Sequence, residues 1–378
     1  MSTLPREPST QLSEIQNNEL CMPGVQWMTL EGPIELEYGD SLPKVDIAYE
    51  TLGTLSPERD NVILICPAFS AHSHVRSHEL NPAPGWWERM VGPGLAIDTQ
   101  KFYVICPSLL GNNHGTTGPT SIHPETGEPY RASFPEITIK DIADVHMRLL
   151  DALGVEKVYA AIGGSLGGMQ SLELAARYPK RFEKFISVSS TDHTRPYTAA
   201  VRHLGRQSIM LDQDFKGGNY DENFPAKGLK LARELGTLFY RSREEFNERF
   251  DWKPLRKPKL GAINFDVQSY LNHQGTKAIG RFDPNCYLLL SLAMDLHDVT
   301  RGFANPMDAY RNIESKALIV GVPEDRLIPI DEQLALYRSL CDAKVDCTWA
   351  QISSSIGHDA FLVEHELLTP IFRDFLER

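Results

Sequence analysis

The run IGGSLGG sets Ser165 between Gly163 and Gly167, a G-x-S-x-G spacing that presents a serine hydroxyl as a nucleophile. An apolar stretch, KVYAAIGG (157–164), precedes it. A helical pattern, MQSLELAARYPKR (169–181), follows, with Leu172, Leu174, Ala175 and Ala176 at its apolar positions. The serine then occupies a sharp strand-to-helix turn in a strained conformation, where a Cβ two residues before or after it would collide with neighbouring chain. Oγ is thereby lifted to the N-terminus of a helix, and Gly168 allows that helix to pack closely. The competing phosphate-loop pattern is poorer, because neither the lysine of G-x-x-x-x-G-K-[ST] nor the spacing of G-x-G-x-x-G is present. An inert glycine-rich turn is the plain alternative.

A serine hydroxyl needs a base, and the base needs an acid to orient it. Asp325 lies just beyond the apolar run KALIVGVP (316–323), and His358 lies beyond VDCTWAQI (345–352). Both fall at strand ends, where loops present side chains to a cleft. Glu324 is the substitute for Asp325, but Arg326, Leu327, Ile328 and Pro329 after Asp325 resemble a turn that opens a helix. Of the 12 histidines, His358 alone combines a late position after a strand with a small neighbour, Gly357. A structural histidine is the alternative there.

Groups so far apart in the chain must be brought together by a sheet. Residues 34–50 read as two strands around a turn at Gly39 and Asp40, and NVILICPAF (61–69) and KFYVICPSLLG (101–111) are apolar runs that end in loops. Between 137 and 153, Ile142, Val145, Leu149 and Leu153 share one helical face, and Gly154 stops the helix before the next strand. Strand, helix, strand with continuously apolar strands indicates a parallel sheet. From 196 to 305 the patterns are helical, with a Lys/Arg/Pro-rich surface loop at 252–259, and strands return at 316 and 345 around a helix at 332–339. The expected organisation is 1–195 as the first part of an α/β core, 196–305 as a helical lid insertion, and 306–378 as the second part of the core, carrying the acid and the histidine.

Composition narrows the function. The 378 residues are 42% hydrophobic, enough for one large core, and the net charge is −12, a field that repels phosphate backbones and argues against nucleic acid. No apolar run reaches the roughly 20 residues of a membrane span. The six cysteines, Cys21, Cys66, Cys106, Cys286, Cys341 and Cys347, are too irregularly spaced for a zinc knuckle or a disulfide framework. No H-E-x-x-H or Cys/His ligand cluster occurs, so no metal is expected. The first 20 residues lack an apolar targeting run, which makes a cytoplasmic location the expectation.

From about Asp46 to Glu366 the chain resembles the homoserine and serine O-acyltransferases of the α/β-hydrolase superfamily. The resemblance is carried by PGWWERMVGPGLAIDT (84–99), TGPTSIHPETGEPY (117–130), IGGSLGGMQSLELA (162–175), RFDPNCYLLLSLAMD (281–295) and GHDAFLVE (357–364). It implies an α/β-hydrolase fold with a mostly parallel sheet and a helical lid. The implied enzyme is cytoplasmic and often a homodimer. It moves an acyl group from acyl-CoA, succinyl-CoA or acetyl-CoA, to the hydroxyl of L-serine or L-homoserine in cysteine or methionine biosynthesis, by a ping-pong acyl-enzyme route and with no bound cofactor. A hydrolase would use the same triad with water.

The resemblance further implies an oxyanion hole formed by the amides of Phe69 and Leu166, a role that physically requires two donors converging near the developing charge. It implies that Arg206 binds the amino acid's carboxylate and Asp359 its ammonium group, with Asn113, Tyr240 and Trp86 as weaker candidates for wall residues. One departure concerns the branch. Arg202 stands where many homoserine enzymes have asparagine, and CPAFSAHSH stands where they have H-A-L-T-G. Both features look more like the serine branch. Arg202 and Arg206 lie four apart on one helix face and so are expected to share the cleft, with Arg202 selecting the acyl donor through a succinyl carboxylate or a CoA phosphate. The alternative is that Arg202 pairs with an acidic side chain of the protein.

Overall fold

The structure, a computed structural model, describes residues 22–220 and 224–378. Cys21 and the N-terminal stretch considered for targeting lie outside the described residues. The apolar runs become strands of one eight-stranded sheet, which also holds β6 and most of β1, neither of them read from the sequence: β1 (Gln26–Glu35), β2 (Ser41–Leu52), β3 (Val62–Cys66), β4 (Tyr103–Pro107), β5 (Val158–Gly164), β6 (Phe182–Val188), β7 (Lys316–Gly321) and β8 (Cys347–Gln351). Their order is β1-β2-β4-β3-β5-β6-β7-β8. β1 pairs with β2, and β2 with β4, antiparallel; every pairing from β4 through β3 to β8 is parallel.

Alternation within these strands supplies a core on each face. Val62, Leu64 and Cys66 of β3 enter one cluster, with Ile142, Val145 and Leu149 of α1 (Ile139–Ala152). Ile63 and Ile65 enter the other, with Trp87, Phe372 and Leu368. Each fully buried aliphatic side chain contributes about 1.5 to 3 kcal/mol relative to exposure. Burial on both faces explains why β3, β4, β5 and β7 read as nearly continuous apolar runs, whereas β6, with Glu183, Lys184 and Ser187, did not stand out in the sequence. α1 begins at a reciprocal cap in which Thr138 accepts from the Asp141 amide and Asp141 from the Thr138 amide.

The chain leaves β3 for β4 on one side and then returns to β5 on the other. Connections diverging from neighbouring strand ends open a crevice at the carboxyl edge of the sheet. α2 (Leu166–Arg177) starts there, directly from β5. Between β6 and β7 come α3 (Pro196–Met210), α4 (Ala226–Tyr240), α5 (Arg243–Arg249), α6 (Asp266–Ala278) and α7 (Pro284–Asp295). α3 packs on α4 and α7, and α4 packs on α6. The 252–259 stretch is an exposed loop between α5 and α6. α8 (Pro306–Arg311) leads back to β7, α9 (Ile330–Asp342) joins β7 to β8, and α10 (Ala360–Val363) and α11 (His365–Glu377) close the described chain. Among the described residues no helix is long and apolar enough to cross a membrane.

Candidate active site

Ser165 holds φ 56° and ψ −121°, a conformation that costs a non-glycine residue about 1 to 3 kcal/mol. Its surroundings fix it there. The Ser165 amide donates to Val188 O at 2.9 Å, and Ser190 Oγ donates to Ser165 O at 2.9 Å. A Cβ on Gly163 would stand 2.3 Å from the carbonyl carbon of Gly167, and one on Gly167 would stand 2.1 Å from Cys66 O. The two glycines therefore let β5, the turn and the end of β3 close on one another.

His358 Nε2 lies 2.8 Å from Ser165 Oγ, and His358 Nδ1 lies 2.6 Å from Asp325 Oδ2. All three residues are buried. Asp325 Oδ1 accepts from the amides of Leu327 and Ile328, each at 2.9 Å, in the turn that opens α9. Gln333 reinforces that turn by donating to Ile328 O at 2.7 Å and accepting from the Val322 amide at 3.1 Å. Glu324 points elsewhere, to Ser353 Oγ at 2.5 Å and the Ser354 amide at 3.1 Å. Burial alone would pull the His358 imidazole down, but the Asp325 charge and hydrogen bond outweigh it and hold the ring above its ordinary value. The ring is thus a base whose Nδ1 proton is fixed toward Asp325, with Nε2 turned to the serine.

Phe69 follows the end of β3, and Leu166 opens α2 beside the nucleophile. Among the described residues neither amide meets a protein acceptor. Gln170 of α2 donates to Pro67 O at 2.8 Å, which locks the two donor segments together. The Phe69 ring stacks on Phe282 at 5.1 Å and meets Tyr287 edge-on at 5.0 Å.

A small cavity of about 100 Å³ lies over Ser165 and His358, with Arg202, Arg233, Tyr240, Tyr287, Ser291 and Asp359 in its walls. Arg202 is buried and lines it. Arg202 Nε binds Asp295 Oδ1 at 2.5 Å and Nη2 binds Thr194 Oγ1 at 2.8 Å, while Nη1 is buried without an acceptor among the described residues. The acidic partner considered for Arg202 therefore exists, and it is Asp295. Arg206 Nη2 meets Asp295 Oδ2 at 2.6 Å, and Nη1 donates at 2.9 Å to the hydroxyl of Ser291, which lines the cavity. Asp359 lines the cavity and meets Arg241 Nε at 3.3 Å. Tyr240 stands with its ring 5.9 Å from that of His358. Trp86 and Asn113 serve the loops instead: Trp86 Nε1 donates to His72 O at 2.8 Å and Asn113 Nδ2 to Arg281 O at 3.1 Å.

One cluster has the composition of a metal site. Ligand atoms of Glu50, His74 and His78 lie within 4.8 Å of one another. Glu50 Oε2, however, accepts from His74 Nδ1 and His78 Nε2, each at 2.9 Å, and His74 Nε2 faces Ala83 O at 2.8 Å. Burial lowers the His74 imidazole, but the bonds to Glu50 and Ala83 outweigh it and hold the ring above its ordinary value. The contacts tie the 68–83 loop to β2.

Asp295, Gln333 and Gln170 were not singled out by the sequence. Only Asp295 carried a signal, as the one charged side chain of the run PNCYLLLSLAMD.

Residues 61–362 match the alpha/beta hydrolase fold family. The chain is 41% identical over 358 residues to a serine O-succinyltransferase of Litchfieldella anticariensis, covering 93% of this chain and 98% of that one. It is 38% identical over 351 residues to a homoserine O-acetyltransferase of Carboxydothermus hydrogenoformans, covering 91% and 93%. Among solved structures, esterase E22 superposes with a TM-score of 0.85 at 31% identity, covering 93% of this chain and all of the other. With a strained serine, a histidine and an aspartate at three strand ends of such a sheet, and with relatives of this likeness along nearly its whole length, the chain belongs to the homoserine and serine O-acyltransferase family of the α/β-hydrolase fold.

Proposed function

We propose that this protein transfers an acyl group from an acyl-CoA to the hydroxyl of L-serine through an ester on Ser165. His358 Nε2 takes the Oγ proton as Oγ attacks the thioester carbonyl, and the amides of Phe69 and Leu166 receive the oxyanion. The tetrahedral adduct collapses, the C–S bond breaks, and the thiol leaves with the proton from His358. The acceptor hydroxyl then gives its proton to His358 and attacks the ester carbonyl. When the second adduct collapses, Ser165 Oγ recovers the proton and the O-acyl amino acid departs. Imidazole balances every proton in this scheme without a metal or a bound organic cofactor. Dialysis against a chelator is expected to leave kcat unchanged.

The observation that carries the reading is one cavity joining the serine–histidine pair to opposite charges, Arg202 and Asp359, that suit a small zwitterion. Asp359 takes the ammonium group. Arg202, with Nη1 lacking an acceptor, takes a carboxylate, either the acceptor's own or the distal one of a succinyl donor. Arg206 acts through Asp295 as a positioning residue for Arg202. Likeness to the serine O-succinyltransferase and the arginine at 202 favour serine and succinyl-CoA. Likeness to the homoserine O-acetyltransferase supports homoserine as the second reading, since one methylene is worth only about 1 to 3 kcal/mol in a pocket.

The test is kcat/KM for succinyl-CoA and acetyl-CoA, each with serine and homoserine, together with intact mass after mixing with donor alone. A donor-sized adduct that is absent in Ser165→Ala is expected. An adduct elsewhere would overturn the scheme, hydrolysis unaffected by either amino acid would make the protein an esterase, and preference for homoserine would select the second reading.

A further inference from the structure

Glu50 stands in β2 with only 2% of its surface exposed, a place a carboxylate tolerates only when hydrogen bonds hold it. Its Oε2 accepts from His74 Nδ1 and His78 Nε2, each at 2.9 Å, and its Oε1 meets no partner among the described residues. A leucine of similar volume would fill the same space without the desolvation, so packing alone does not account for an acid there. What the carboxylate does and a leucine cannot do is fix two points of one loop.

Both histidines belong to the loop that leaves β3 and carries Phe69. The Ala71 amide donates to Ala68 O at 2.9 Å, so Phe69 lies inside a tight turn. Beyond that turn the Ser73 amide donates to Ser108 Oγ at 3.0 Å, and His72 O accepts from Trp86 Nε1 at 2.8 Å. His78 and Asn81 then exchange backbone hydrogen bonds at 2.9 and 3.0 Å, and His74 Nε2 faces Ala83 O at 2.8 Å, which folds residues 74–83 back on themselves. Glu50 pins this doubled segment to the sheet at both His74 and His78. On the other side of Phe69, the buried Gln170 of α2 holds Pro67 O at 2.8 Å. The turn with Phe69 is therefore held from both ends, by Gln170 toward the nucleophile and by Glu50 toward β2.

We propose that Glu50 is a positioning residue for the oxyanion site, setting through His74 and His78 where the Phe69 amide points. The proposal rests on the acyl-transfer reading above, in which the amides of Phe69 and Leu166 receive the developing charge. The Leu166 amide is carried by α2 and needs no further support. The Phe69 amide is carried by a loop, and a donor on a loop serves an oxyanion only where its surroundings fix it. A displacement of about 1 Å is enough to cost about 100-fold in rate.

The two half-reactions test this. Both pass through an oxyanion at the same place, so a misplaced Phe69 amide slows them together, whereas a defect in the binding of donor or acceptor slows one. The burst with acyl-CoA alone gives the rate constant for acylation, and decay of the Ser165 ester on adding serine or homoserine gives that for transfer. Glu50→Leu is expected to lower both rate constants by about 100-fold, with KM for each substrate within about 3-fold of native. Glu50→Gln, which keeps an oxygen toward the loop, is expected to recover about 10-fold of that loss. His78→Ala and His78→Gln repeat the comparison at the more exposed end of the network, with the glutamine again expected to be the faster, and decide the matter if Glu50→Leu does not fold. Rate constants are taken from the fraction of protein that forms the ester, so partial unfolding lowers the amplitude and leaves them intact. Native rate constants in the folded variants, or a loss confined to one half-reaction, would overturn the proposal and leave acyl transfer standing. A native protein that forms no ester on Ser165 would overturn both.

Discussion

Arg202 Nε and Asp295 Oδ1 meet at 2.5 Å across 93 residues of chain, and Arg206 Nη2 takes the other oxygen of the same carboxylate at 2.6 Å. One acid at the end of α7 therefore fastens two successive turns of α3. Removing one partner of a buried pair leaves uncompensated charge, which costs about 3 to 5 kcal/mol. Asp295→Ala is expected to lose stability of that order in urea unfolding and to lower kcat/KM as Arg202 shifts. A loss under about 1 kcal/mol would mean that water already screens the pair.

The triad should behave as one unit. Ser165→Ala and His358→Ala are each expected to lower kcat by about 10⁶-fold, Asp325→Asn by about 10⁴-fold, and the Ser165/His358 double variant by no more than either single one. Additive losses in pre-steady-state acylation would show that the two residues act separately.

The pH profile follows from the raised imidazole. His358 must be neutral to accept the Ser165 proton, so kcat/KM is expected to fall as pH drops through its folded-state value, which Asp325 holds above that of an ordinary histidine. Asp325→Asn removes the raising charge while burial still disfavours the cation. The acid limb should move to lower pH in that variant, even as the maximum rate drops. A limb that stays in place would locate the titrating group elsewhere.

Glu332, in the first turn of α9, is buried with Oε2 lacking a partner among the described residues, and burial pushes its carboxyl up to about 7. An unfolded glutamate titrates near about 4.3. Between those two values the native state binds the extra proton, so this group's contribution to stability is present in acid and is lost as pH rises toward about 7. Glu332→Gln should remove that dependence and be the more stable protein at pH 8. Equal denaturation midpoints for both proteins from pH 5 to 8 would refute the assignment.

What the sequence revealed and what it hid divide along a physical line. Ser165, Asp325 and His358 were legible because an activated serine demands those residue types, in that order, at strand ends. Strands β3, β5 and β7 were legible because burial on both faces leaves them almost wholly apolar, while β6, which carries Glu183, Lys184 and Ser187, was not. The contacts of Arg206 to Asp295 and Ser291 were not legible, since helical spacing says that it lies one turn from Arg202 but not which element meets it. Nor was Asp295, whose partners depend on α7 meeting α3. A single acid closing the run PNCYLLLSLAMD was the available hint, because a carboxylate ending so apolar a helix needs a cation from another element.

β6 and β7 are hydrogen-bonded neighbours in continuous register from Lys184 and Lys316 to Val188 and Val320, although more than a hundred residues separate them in the chain. The sheet's pairing is therefore complete whatever stands between those two strands. Arg202, Arg233, Tyr240, Tyr287 and Ser291 all arrive on that intervening length, while the serine, acid and histidine lie outside it. For a gene this is a favourable partition: one recombination with crossovers in the two flanking loops would exchange most of the substrate-facing wall as a block and leave the reaction centre untouched. Chimaeras built at those joints from two members of the family are the direct way to move a preference for substrate without rebuilding the chemistry.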